Sequence, residues 1–154
     1  MYKKEFDYYI YIDFSENLIG YNIIEKSKIR ELIPRISKLK HYKTLKHKSE
    51  YLNSMKKLFK RNNIGSYLVK AKILNMRENI ILFSEVLDFI KKHSSCIIFI
   101  SVDDFQFRSF KKLIGVLDEN NTEVVKESKL QKGTTEYRMS LIIDTQLNIV
   151  RRKE

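Results

Sequence analysis

The sequence predicts an α/β fold: a mixed sheet that opens with an antiparallel hairpin and continues with parallel strands flanked by helices. Three observations carry this. Two β-prone runs, "YYIYID" ending at Asp13 and "LIGYNIIE" at 18–25, are separated by a short turn built on "SEN", the pattern of a hairpin. The second half alternates strand-like and helix-like segments, which implies parallel pairing. Between its helices lies "CIIFISVDD" at 96–104, apolar on both faces as a strand covered by helices should be.

The elements follow in order. Residues 6–13 alternate loosely and carry Tyr, Ile and Phe, so they read as the first strand, and 18–25 as its partner. Ser27 is placed to cap the next helix, "KIRELIPRISKLK", whose Ile29, Leu32, Ile33 and Ile36 share one face. Pro34, the single proline, kinks or splits that helix. A basic helix runs from about Lys46 to Arg61 and "NNIG" breaks it. "SYLVKAKIL" at 66–74 is the third strand, and "RENIILFSEVLDFIKKH" at 77–93 a helix with lysines at its C-terminal end. After "CIIFISVDD", the helix "FRSFKKLIGVLDEN", the short strand "NTEVVKES", the loop "KLQKG" and the closing helix "TTEYRMSLIIDTQLNIVRRK" complete the order β-β-α-α-β-α-β-α-β-α. With 154 residues, the expectation is one domain, 1–154, with a basic helical insertion at about 27–63.

Composition narrows the function classes. The hydrophobic fraction is 43% and the charged fraction 32%, values of a globular chain. No apolar run approaches the roughly 18 residues that cross a bilayer. "MYKKEFD" has a signal peptide's charge but no acid-free apolar region follows it. The expectation is therefore a cytoplasmic protein with no membrane partner. One cysteine, Cys96, excludes an internal disulfide and a cysteine-based zinc site. At the head of an apolar strand it reads as a buried, inert thiol. His41, His47 and His93 have no zinc spacing, and four glycines leave no Gly-rich phosphate loop.

Thirty Lys and Arg against nineteen Asp and Glu give a net charge of +11. A polyanion is the partner such a charge suits, although a lysine-rich composition with abundant Ile, Asn and Tyr also accounts for it. The charge is concentrated in "KLKHYKTLKHKSEYLNSMKKLFKR" at 38–61, where Glu50 is the single acid. Lys46, Lys48, Lys56, Lys57, Lys60 and Arg61 are the candidate phosphate contacts. The interleaved aromatics are a separate matter. Tyr51, Leu52, Met55 and Phe59 form a core-facing stripe, so the lysines form the exposed face.

Acids stand at element ends. Asp13 closes the first strand, Asp103 and Asp104 the central one, and Asp144 sits in the last helix amid "SLIIDTQLNIV". Each has a local reading. Strand-end aspartates start turns or cap helices, and Asp144 fits the edge of the Ile143–Leu147 stripe. Together they have a chemical one. Carboxylates converging at the C-terminal edge of a sheet hold Mg²⁺ or Mn²⁺ through oxygen, and two such ions promote phosphodiester cleavage.

On these motifs, in this order, the chain resembles the ribonuclease H-like superfamily. More narrowly it is similar to an uncharacterised family whose first strand reads YIDESG, matched here by "YIDFSEN" at 11–17. "LIGYNIIE", "TLKHKSEYL", "IIFISVDD" and "SLIIDTQL" stand for its second strand, lysine-bearing insertion, Asp-terminated strand and C-terminal helix. The resemblance implies an RNase H-like fold with Asp13, Asp103 and Asp144 as catalytic metal ligands, Glu85 in the role of the helical glutamate, and Lys46 or Lys48 as the insertion lysine. It also implies Mg²⁺ or Mn²⁺ as cofactor. Where that family has glutamate after the first aspartate, this chain has Phe14.

Two functions follow. The first is a divalent-metal-dependent nuclease acting on RNA or DNA. The alternative is a catalytically inactive nucleic-acid-binding module of the same fold. A third reading, a structural protein forming a homo-oligomer through an exposed strand or helix, has no particular surface to support it.

Overall fold

The computed structural model describes residues 5–118 and 121–153. The first four residues of "MYKKEFD" and the last two of "GVLDEN" lie outside these ranges. Among the described residues five strands form one sheet: β1 (Tyr8–Ser15), β2 (Leu18–Glu25), β3 (Lys70–Asn75), β4 (Cys96–Ile100) and β5 (Glu123–Lys126). Their order is β3-β2-β1-β4-β5. β1 pairs antiparallel with β2, and β2 with β3; β4 runs parallel to β1 and to β5. The hairpin and the parallel half are thus both present, with β1 at the centre of the sheet.

Among the described residues five α-helices cover it: α1 (Lys26–Arg35), α2 (Lys48–Arg61), α3 (Asn79–Lys92), α4 (Asp104–Leu117) and α5 (Thr135–Lys153). Alternation along β1 assigns them to two faces. Tyr9 and Tyr11 point to the layer that holds Leu32, Met55, Leu58, Ile142, Ile143 and Leu147, side chains of α1, α2 and α5. Ile10 and Ile12 point to Leu82, Val86, Ile90 and Ile114 of α3 and α4. All five residues of β4 are buried, as its uninterrupted apolar run requires. Cys96, at its head, is buried, and burial pushes its thiol up to about 12, so it stays protonated and unreactive at neutral pH.

Several local expectations change. Ser27 lies inside α1 rather than capping it; its hydroxyl donates to the carboxylate of Glu25, the N-cap residue, whose side chain makes no capping hydrogen bond. Pro34 does not split a long helix but ends it, because α1 stops at Arg35. The third strand begins only at Lys70, since residues 64–67 form a 3-10 turn introduced by Asn63 at φ +50°.

α5 lies close on β1 and β2. Gly20 is what permits it. Opposite Asp13 in the β1–β2 register, it has no side chain, and a Cβ there would meet Ile143 Cδ1 at 2.9 Å, Ile73 Cγ1 at 3.1 Å and Leu147 Cδ2 at 3.2 Å. The near approach sets the helix turn carrying Asp144 against the end of β1.

Candidate acidic site

Two of the sequence-predicted acids come together, joined by a third that sequence reasoning missed. Asp13 and Asp144 are both 7% exposed. Asp13 feels the charge of Asp144 and, more strongly, that of Glu127. Glu127 opens the 3-10 turn directly after β5. The signal for it was the one used for Asp13 and Asp103, an acid at the end of an apolar strand, here "EVVKE". A parallel β5 beside β4 brings that end to the same sheet edge as Asp13.

The Ser101 hydroxyl, just past β4, favours the charged forms of both Asp13 and Glu127. Asp13 Oδ1 also accepts the Phe14 N–H at 2.8 Å. Asp144 Oδ2 accepts the Tyr42 N–H at 2.9 Å. All three carboxyls are nevertheless held above the ordinary carboxylate range, Asp13 well above it. Burial is the first cause in each, because a carboxylate loses its hydration. For Asp13 the repulsion of Glu127 and Asp144 comes next. His41 and Lys43 oppose the shift at Glu127 and Asp144.

Those two residues belong to a 3-10 turn, Tyr42–Thr44, capped by His41. This is how the basic insertion reaches the acids. Tyr42 is its hub. The Lys48 ammonium and the Arg151 guanidinium stand 5.4 and 5.3 Å from its ring centre, and Arg152 donates to its hydroxyl at 3.0 Å. Lys48, Arg151 and Arg152 thus cluster around Tyr42, whose N–H bonds to Asp144. Asn148 links them, donating to the Asp144 carbonyl at 2.7 Å and accepting from Arg151 at 2.8 Å.

The other predicted residues are placed elsewhere. Asp103 is exposed and caps α4: its Oδ1 accepts the Gln106 N–H at 2.7 Å, and Gln106 Oε1 accepts the Asp103 N–H in return. This capping box answers to the local reading of that residue. We expect Asp103→Ala to lower stability by about 1 kcal/mol and Asp103→Ser to restore it, measured by urea melts. Glu85 lies on the opposite face of the sheet. It accepts from the Tyr21 hydroxyl at 2.6 Å and pairs with Lys72 and Lys70. Lys72 first, then Tyr21, hold its carboxyl below the ordinary range. It does not reach the acids of β1 and α5. Lys46, Lys56, Lys57, Lys60 and Arg61 are exposed along and before α2, and Lys48 turns inward to Tyr42.

The donor set Asp13, Glu127, Asp144 and Ser101 is all oxygen, the chemistry that suits Mg²⁺ or Mn²⁺. The acids sense one another's charge, but among the described residues no three His, Cys, Asp or Glu side chains are placed to hold one metal ion together. Also among them, no helix is long and apolar enough to cross a membrane.

The sequence matches no protein-family model and none of the curated proteins. Solved structures do match. Ribonuclease H2 from Pyrococcus horikoshii superposes with a TM-score of 0.59 at 14% identity, over 96% of this chain and 73% of that one. RNase HII from Archaeoglobus fulgidus, solved in complex with PCNA, gives 0.53 at 12% identity, over 94% and 72%. The sheet order, the mixed pairing and these superpositions define an RNase H-like fold. The narrower likeness to the YIDESG family rests on its motifs alone.

Proposed function

We propose that this chain is a divalent-metal-dependent nuclease of RNase H-like fold, with Asp13, Glu127 and Asp144 as its acidic centre. One observation carries this: Asp13 of β1 and Asp144 of α5 are buried, Glu127 after β5 is half-buried beside them, and all three carboxyls are held above their ordinary range. Such a gathering is costly without a cation. Mg²⁺ or Mn²⁺ would draw its oxygen donors from these side chains, although the three do not stand close enough to share one ion, and would lower the pKa of water and stabilise a departing oxygen.

The chain's own residues do the rest. Ser101 favours the charged forms of Asp13 and Glu127. The Tyr42 N–H holds Asp144, and His41 and Lys43 offset part of the negative charge. Lys48, Arg151 and Arg152 around Tyr42 provide positive charge for a phosphate beside the acids, and the lysines of α2 extend it along a strand. RNA or DNA is the partner this charge suits.

The test is cleavage of labelled RNA, DNA and hybrid strands with Mg²⁺ or Mn²⁺. Asp13→Asn and Asp144→Asn should each lower the rate more than about 100-fold, beyond the 10–100-fold that loss of an outer-shell partner gives. Asp103→Ser should cleave like the parent. Robust cleavage by both asparagine variants would sink the assignment. A second reading, a binding module without turnover, is favoured by Phe14 at the family's glutamate position and by the unclosed triad. It predicts salt-sensitive binding by the parent with no cleavage under either metal.

A further inference from the structure

Phe14 stands directly after Asp13, and its side chain leaves β1 on the other face. There it lines a groove of about 540 Å³ with Phe83, Phe105 and Phe110, within the usual size of a ligand cleft. Phe105 is 73% exposed, and Ile80, next in sequence to the lining Asn79, is 75% exposed. An open aromatic surface of this kind marks an interaction site.

Two features say what it meets. The groove meets the surroundings of the acidic centre at Ser101, which forms part of its wall and also favours the charged forms of Asp13 and Glu127. On α4, the same helix that carries Phe105 and Phe110, Arg108, Lys111 and Lys112 line a neighbouring recess. The one acid in that helix, Asp104, is paired with Lys126. Aromatic faces beside a basic helix complement a strand whose bases are unpaired: the rings stack on bases while the cations follow the phosphates. A duplex hides its base faces and has nothing to offer this groove.

We propose that the Phe14–Phe83–Phe105–Phe110 groove receives unpaired bases of the strand whose backbone reaches Asp13, Glu127 and Asp144. The inference rests on the nucleic-acid reading above and adds to it a single-stranded substrate. Phe14 thereby has a use of its own, as a wall of the base groove.

The test is binding, measured in chelator so that cleavage plays no part. Fluorescence anisotropy would compare short labelled single strands, abasic strands of equal length and duplexes. The parent should prefer the base-bearing single strand over the abasic one on the order of tenfold. Phe105→Ala, at an exposed position that folding does not need, should lose that preference and leave abasic binding unchanged. Phe105→Tyr should keep it. Equal affinity of parent and Phe105→Ala for both strands would overturn the proposal, as would duplex bound as tightly as single strand. Sedimentation showing a parent dimer that Phe105→Ala dissolves would make the groove a contact between copies and overturn it too. Persistent metal-dependent cleavage with no base preference would remove this inference alone. Absence of binding to every strand would remove the nuclease reading with it.

Discussion

Asp13→Asn should melt several degrees above the parent at neutral pH. Asparagine keeps the shape of the side chain and its acceptor for the Phe14 N–H, yet carries no charge. In the parent, burial and the neighbouring Glu127 and Asp144 raise the Asp13 carboxyl well above its ordinary value of 3.8. A carboxyl raised in this way keeps its proton after the unfolded chain has released it. From the ordinary carboxylate range up to the folded value, the folded state therefore binds more protons. Stability falls as pH rises through that window, and recovers as pH is lowered.

A tenfold difference in proton affinity between folded and unfolded chain is worth about 1.4 kcal/mol. The gain from Asp13→Asn at neutral pH follows the size of that difference, and at this length each kcal/mol is worth roughly 2–4 °C. Below about pH 4, where both states hold the proton, the two proteins should melt alike. Glu127→Gln should shift the curve in the same direction. Divalent cation should raise the parent's melting temperature, by relieving the same repulsion, and leave Asp13→Asn nearly unmoved. Identical melting of parent and Asp13→Asn across pH 4–8 would mean that the acids do not repel one another in the folded protein. This readout needs no substrate, so it tests the acidic centre separately from the nuclease reading.

Much of the fold was legible because its signals are local and periodic. β2 matches "LIGYNIIE" residue for residue, and the apolar run of β4 announced a buried strand. The acidic centre was half legible. Asp13 and Asp144 stand out because an acid interrupts an apolar stretch. Glu127 did not, since it follows a strand of only four residues and sits among charged neighbours. Asp103 shows the opposite limit. Its strand-end position fits both a ligand and a cap, and only the backbone geometry of α4 shows the cap. The grip of Tyr42 on Asp144 spans 102 residues, and no pattern along the chain encodes such a contact. The two faces of β1 explain Phe14: a residue adjacent in sequence to a metal-ligand candidate points away from it, so its identity reports on a different surface.

Gly20→Val should destabilise the face of the sheet that holds the acids. The position carries no left-handed backbone requirement; the constraint is space. Even a methyl group would stand 2.9 Å from Ile143 Cδ1 and 3.2 Å from Leu147 Cδ2, and both side chains are buried. Ile143 and Leu147 belong to α5, with Asp144 between them. Neither can move aside without moving the helix or changing rotamer in a packed layer. Overpacking of this kind costs about 1–3 kcal/mol, roughly 2–4 °C per kcal/mol at this length.

The consequence extends to the acids. Gly20 faces Asp13 across the β1–β2 pair, so lifting α5 here separates Asp144 from Asp13 and admits water between them. The Asp144 carboxyl should return toward the ordinary range, and the fall in stability with rising pH should flatten. Ile143→Ala placed on top of Gly20→Ala should recover part of the loss, because the shorter side chain vacates the space that the new methyl group needs. Independent, additive losses in that double variant would show that α5 is not held off the sheet at Gly20. Partial recovery together with a restored pH dependence would show that a glycine on β2 sets the distance between the acids of β1 and α5.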